Sequence, residues 1–494
     1  MFSWLPIKRA ADYGRLTQHL SPTEFGLQEV ADWLQTHLST EIGGVLVEHP
    51  YVDKDYRSTY YNFYAKKGAA YSPHSARLHL FKKGWDCQED PLRLTTGASV
   101  ELLSDTEVQA GYLGFLTLRP TRIQTIGRTV IDPRALRSAK GWLIEHRHKV
   151  HVMGYRLQAN GFPFMQQHGD IAVCAHTACW AVLRHYSERY SLYREVLVHD
   201  VSKLGREFDP GGLLPSLGIT AREAERIFAA VGTFPLLVSD GEPPKDGQAR
   251  FHDEMLAYLE SGFPLFGIQI GRQHAVAVVG YRRESAPQVR GNDYHGRAWD
   301  YVSHLLLIDD NHHPYMPVPR AGRKVGDKHK PCIGDIDHFI VPLPEKMFLP
   351  AAAAFKFADE ISANPPEHFE DLGDGKDLVT RCFVTTTASW QRFVREQMSL
   401  FQPDFGRAAL ELTMPQFVWV VEYATPQQRA KGQVHARMLL DATASTREPL
   451  PAFLLHDRKG ALWLDRANRV PMQYQAFDSK VRTLREMASN LRAY

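Results

Sequence analysis

A thiol, an imidazole and a carboxylate can together cleave an acyl bond, and the middle of this sequence holds all three in order. The run Gln166-Gln167-His168-Gly169-Asp170-Ile171-Ala172-Val173-Cys174-Ala175-His176-Thr177-Ala178-Cys179-Trp180-Ala181-Val182-Leu183 passes from a polar loop into a small-residue stretch of helical composition. That change places Cys174 at or near a helix N-terminus, where the dipole favours the nucleophilic thiolate. Free N–H groups of the first helical turn can also stabilise an oxyanion. Taken without partners, Cys174 is equally an inert buried thiol, the usual state of a free cysteine. Cys179 is its rival. Five residues further on, it lies about 140° round an α-helix, so the two sulfurs cannot share one cleft.

The partners come later in the chain. Ser261-Gly262 ends a helix, and Leu265-Phe266-Gly267-Ile268-Gln269 reads as a buried strand. After a short turn, His274-Ala275-Val276-Ala277-Val278-Val279-Gly280-Tyr281 forms a second strand with His274 at its mouth. There an imidazole can face a cleft while the strand fixes its position, and histidine suits proton transfer near neutral pH. A third strand, Tyr301 to Ile308, runs into Asp309-Asp310-Asn311-His312-His313-Pro314. An aspartate there can orient the imidazole. Periodicity places Asp309 and Asp310 on opposite sides and does not choose between them. A plain polar turn accounts for the same composition.

Taken together, residues from about 160 to 345 resemble the papain-like cysteine peptidases, closest in style to the bacteriocin-processing peptidase domains of bacterial transporters. Cys174-Ala175-His176-Thr177-Ala178 stands where that family has its nucleophile helix, and His274 to Tyr281 matches its histidine strand. Leu307-Ile308-Asp309-Asp310 matches the strand bearing the third residue, with Asp310 favoured and Asp309 second. The family's oxyanion glutamine lies about six residues before the cysteine. His168 holds that place here, and Gln167, one residue further back, is the candidate. Cys179-Trp180-Ala181 echoes papain's own motif, but no glutamine stands six residues before Cys179; Val173 does. The resemblance implies an α+β fold in which a Cys-bearing helix packs on an antiparallel sheet bearing His and Asp. It implies a thioester acyl-enzyme cysteine hydrolase (peptidase, isopeptidase or amidase) acting on a protein or peptide. A transglutaminase-like acyl transferase and a catalytically silent papain-like assembly module are the alternatives.

The surrounding chain must position these groups. Its 494 residues are 44 % hydrophobic and 23 % charged, ordinary for a globular protein of two or three domains. Three regions are expected: an α+β domain at 1–145, the hydrolase domain at 146–345, and a second α+β domain at 346–494. The flanking domains are the places for protein partners. In the first, Ser21-Pro22-Thr23-Glu24 reads as a capped helix start, with Leu27, Val30, Leu34 and Leu38 at helical spacing. Val45–Val47, Tyr60–Tyr64, Leu78–Phe81 and Tyr112–Leu118 read as strands, the aromatic-rich Tyr56–Tyr64 stretch as buried sheet. Asn364-Pro365-Pro366 is the clearest linker signal.

Other functions find little support. A net charge of +2 makes no case for nucleic acid or an anionic membrane surface. The basic run Arg320–Lys330 reads as a solvated loop, and Arg119, Arg122 and Arg128 as surface charges. Gly211-Gly212 follows Asp-Pro and reads as a turn, not a phosphate loop. The 23 histidines include close groups at His146, His148 and His151 and at His312 and His313, but none has zinc-ligand spacing. No cofactor or metal is expected. Cys87, Cys174, Cys179, Cys332 and Cys382 form no regular framework, which fits a reducing compartment. No signal peptide or membrane-length apolar run is evident, so a cytoplasmic protein is expected.

Overall fold

The computed structural model describes residues 2–494 except 69, 85–102, 168–172, 206–217, 242–249, 292–293, 323, 326–327, 345–346, 374–376, 399–402, 448–451, 464–472 and 478–482. Cys87, His168 and the Gly211-Gly212 turn lie outside the described residues, as does part of the 320–330 basic run. The chain is a mixed α+β protein built on antiparallel sheets. Among the described residues, no helix is long and apolar enough to cross a membrane.

Five strands of the N-terminal part, β1 (Phe2–Pro6), β2 (Ile42–Tyr51), β3 (Ser75–Lys82), β4 (Tyr112–Leu118) and β5 (Ile126–Ile131), pair in sequence order. Helices α1 (Leu27–His37), α2 (Lys54–Asn62) and α3 (Asp105–Gly111) punctuate them. Two expectations are corrected here. The Ser21–Glu24 segment is a turn, and α1 starts at Leu27, with Leu27, Val30 and Leu34 on its buried face. The Tyr56–Tyr64 stretch is helical, not sheet, because Asp53 caps α2 by accepting from the Tyr56 N–H. Tyr56, Tyr60 and Tyr64 then recur every fourth residue, and their rings meet on one face.

The central part begins with β6 (Trp142–Leu143) and the hairpin β7 (His146–Val152)–β8 (Tyr155–Gly161). Val150, Val152 and Leu157 of this hairpin join Leu46, Phe115 and Val130 of the first sheet in one apolar cluster. Helices α4 (Cys174–Arg189), α5 (Val198–Leu204), α6 (Ala221–Ala230) and α7 (Phe251–Glu260) accompany the strands β9 (Phe234–Ser239), β10 (Leu265–Gln269), β11 (His274–Arg283), β12 (Val302–Ile308), β13 (Pro314–Pro319) and β16 (His338–Leu343). A short ribbon of β14 (Lys324–Val325) and β15 (Lys328–His329) precedes β16. The sheet order is β13-β12-β11-β10-β16-β9, every pairing antiparallel. Strand β6 runs beside the far end of β11. The approach requires Gly280, because a Cβ there would meet the Trp142 carbonyl oxygen at 2.2 Å.

The C-terminal part contributes α8 (Ala351–Ala363) and a further antiparallel sheet. It contains β17 (Val379–Thr386), β18 (Phe417–Ala424), β20 (Ala436–Asp441), β21 (Ala452–His456), β22 (Gly460–Trp463) and β23 (Gln473–Ala476). The two-residue strands β19 (Gln433–Val434) and β24 (Leu484–Arg485) pair alongside it. The last strand, β25 (Arg492–Ala493), returns to pair with β6. One apolar cluster runs from Leu5 through Trp180 and Val278 to Leu455, so the three regions share a core.

Helix α4 is buried on nearly all sides, with Cys179, Trp180, Val182 and Tyr186 each almost fully enclosed. Burial of each large apolar side chain contributes about 1.5–3 kcal/mol. Two of its buried polar groups are tied to α2. The Trp180 Nε1–H donates to Asp55 Oδ1 at 2.9 Å, and Arg184 Nη2 donates to Asp55 Oδ2 at 2.9 Å while also pairing with Glu195. We expect Asp55→Ala to cost about 3 kcal/mol in urea unfolding, because it strands a buried guanidinium. A loss no larger than that of a surface substitution would show that Glu195 alone can hold Arg184.

Candidate functional site

Val173, at the N-cap of α4, has no side chain able to cap the helix. The His176 and Thr177 N–H groups bond the Val173 carbonyl, which leaves the N–H groups of Cys174 and Ala175 outside the helical ladder. Among the described residues Cys174 is the partly exposed cysteine; Cys179, Cys332 and Cys382 are buried. Cys179 is sealed in the core, where burial pushes its thiol far up from the ordinary range.

The turn between β10 and β11 brings His274 to the mouth of the sheet. Gln273 adopts a left-handed conformation, φ 50°, and His274 then pairs with Gln269 as the first residue of β11. Its ring interacts with Cys174, which favours the protonated imidazole. Nε2 stands 3.1 Å from Asp309 Oδ1 and 3.9 Å from Asp310 Oδ1. With Nε2 engaged by carboxylate, Nδ1 is the nitrogen left for the thiol.

The strand register explains why Asp309 takes the hydrogen bond. Ala277 pairs with Ile308, so continued alternation puts residue 309 on the face that carries Val276 and His274. The sequence had favoured Asp310, but the hydrogen bond goes to Asp309, which also accepts the Asn311 N–H at 3.0 Å. Asp310 is buried beside it, and neither of its carboxylate oxygens has a hydrogen-bond partner among the described residues.

Gln167 joins the same network. Its Nε2 donates to Asn311 Oδ1 at 3.0 Å, which draws it to the loop carrying both aspartates. Its backbone is held from below by Arg119, which donates to the carbonyls of Gln166 and Gln167 at 3.2 Å each and to that of Gln124. Arg119 was expected at the surface and is instead buried, a correction with a clear cause: three main-chain carbonyls replace its hydration. Arg119 also lines a small pocket with Asp53, Asp55, Tyr56, Thr59 and Arg128, in which neither Cys174 nor His274 takes part. Nothing in residue type marked Arg119 for this role; the only sequence signal is its place at the end of β4. From the other side, Trp33 of α1 donates to the His312 carbonyl at 3.0 Å, and the His37 and His313 rings lie 4.3 Å apart.

Charge follows this geometry. Burial disfavours the imidazolium, but the Asp309 hydrogen bond and the adjacent Cys174 outweigh it and lift His274 to about 10. For Asp309, burial pushes upward, yet the bond and charge of His274 hold the carboxyl below its ordinary range. Asp310 has no such bond, and burial, aided by the Asp309 charge, raises it to about 7 despite His274. The arrangement gathers a partly exposed thiol, an imidazole, a hydrogen-bonded carboxylate and main-chain N–H groups free of the helical ladder, the group types that acyl chemistry uses. Among the described residues, His274, Asp309 and Asp310 are also the group able to hold a metal ion.

Comparison of the chain with family models, curated proteins and solved structures returned no match.

A raised histidine stabilises the fold fully below its unfolded value near 6.5 and loses that contribution as pH climbs through about 10. A depressed aspartate contributes above about 3.8 and loses it as pH falls through its lower folded value. His274→Gln should therefore cost about 2 kcal/mol at pH 6, with the gap to wild type closing toward pH 10. Urea unfolding of both proteins across that range is the check. A gap independent of pH would mean that the imidazole is not charged in the folded protein.

Proposed function

We propose that the chain is a cysteine hydrolase of papain-like design, acting on an amide bond of a protein or peptide. The observation that carries this reading is the His274 ring, hydrogen-bonded to the Asp309 carboxylate and interacting with Cys174 at a helix N-terminus. Cys174 Sγ attacks the carbonyl carbon, and the uncapped N–H groups at the start of α4, with the Gln167 side-chain amide, receive the oxyanion. His274, held by Asp309, passes a proton to the leaving amine. It then takes one from the water that releases the acyl group from Cys174. The N- and C-terminal regions select or deliver the substrate, and a cytoplasmic setting suits an unpaired reactive thiol.

Iodoacetamide labelling located by mass spectrometry tests the pair without a known substrate. Cys174 should be labelled rapidly at pH 6, at a rate that falls at least about tenfold in His274→Ala, while Cys179 stays unlabelled in the folded protein. Cys174→Ala should abolish hydrolysis and leave the protein folded, and Cys179→Ala should spare the chemistry. Slow labelling indifferent to His274 would overturn the hydrolase reading and favour a silent assembly module.

A further inference from the structure

We infer that His274, Asp309 and Asp310 form a binding site for one divalent ion of the zinc class, and that this ion silences the thiol chemistry by taking Nε2. The first support is geometric. The three ligand atoms all lie within 4.8 Å of one another, with Nε2 at 3.1 Å and 3.9 Å from the two carboxylate oxygens. A tetrahedral ion bound at about 2.1 Å requires its ligand atoms about 3.4 Å apart. The edges already present bracket that separation, so the site needs only small side-chain adjustments to close on an ion.

The second support is independent of the first. The Asp310 side chain is only 3 % exposed, faces Nε2, and has neither oxygen hydrogen-bonded among the described residues. A buried carboxylate without donors is costly, and a cation satisfies it as no apolar neighbour can. The donor set also selects the ion. One imidazole with two carboxylates suits zinc and similar borderline metals, whereas magnesium favours an oxygen shell at strict octahedral geometry. Three protein ligands leave a fourth position for water.

Binding replaces the proton on Nε2, which is released to solvent, and the metal takes over the Asp309 oxygen that orients the ring. With Nε2 and that oxygen both held by the metal, the His274–Asp309 hydrogen bond that fixes the ring is lost. The silencing clause rests on the hydrolase reading; the binding clause does not.

The full chain, freed of metal with a chelator, would be titrated with Zn2+ against a chromophoric chelator and with Co2+ by absorption. One Zn2+ per chain at micromolar affinity or better is expected, with a Co2+ spectrum lacking a thiolate charge-transfer band. Asp310→Asn, close in shape, should weaken Zn2+ at least about tenfold, and Asp310→Ser should do the same should the first variant fold poorly. Cys174→Ser should bind as wild type does. No stoichiometric binding, binding untouched by both Asp310 substitutions, or binding lost with Cys174 would each overturn the site. Zinc should also slow iodoacetamide labelling of Cys174. Labelling that never depended on His274 would remove the hydrolase reading while leaving the titration to decide the metal site.

Discussion

A buried carboxylate must find donors, and the Asp309 side chain sets the terms for everything around it. It takes one donor from the Asn311 N–H and one from His274 Nε2, so the turn after β12 must fold back on itself and β11 must begin where it does. The same turn offers Asn311 Oδ1 to Gln167. Gln167 in turn lies on a segment whose carbonyls are gathered by Arg119. A continuous polar path thus runs from Arg119, at the end of β4, to His274, each step a hydrogen bond of ordinary length. Loosening it at Asp309 would leave an anion unpaired in a site of low dielectric, a far larger cost than any one bond contributes.

The flanking regions act as parts of the frame. Asp55 of α2 receives both Trp180 and Arg184 of α4, which fixes the rotation of the helix carrying Cys174 about its axis. On the opposite side Glu260, at the end of α7, pairs with Arg381 of β17, and Arg381 also meets Glu422, which holds Arg437. Tyr281 of the histidine strand donates to the same Glu260. Buried ion pairs of this kind contribute little net stability against apolar replacements, yet removing one member is severe. They set registry between the central sheet and its neighbours, and the shared apolar core supplies the bulk of the binding.

The elements that carry the site were legible because their patterns are local. The alternation of Ala and Val after His274 marks β11, the small-residue run after Val173 marks α4, and both begin within a residue of where sequence places them. What escaped depends on tertiary context. Aromatic composition argued for strand at Tyr60–Tyr64, but one capping aspartate and a ring cluster with a four-residue repeat made helix. The choice between Asp309 and Asp310 needs the pairing of Ala277 with Ile308, and a single sequence does not contain a register. Arg119 was invisible for a similar reason: its acceptors are main-chain carbonyls, which leave no trace in residue type.

Two adjacent aspartates beside one histidine look redundant until their environments are compared. Asp309 has the His274 hydrogen bond and a backbone donor and is held ionised; Asp310 has the imidazole only at 3.9 Å and is driven upward by burial and by its neighbour's charge. Two negative charges this close would repel unless something positive lay between them, and the imidazolium can neutralise only one at hydrogen-bonding distance. The second must then carry a proton or meet another cation. With a proton on Asp310 the site holds one imidazolium balanced by one carboxylate, that of Asp309. With a metal ion in its place, both carboxylates and the imidazole are spent on coordination, and the thiol loses its proton carrier. The two states exclude each other because they compete for a single atom, His274 Nε2.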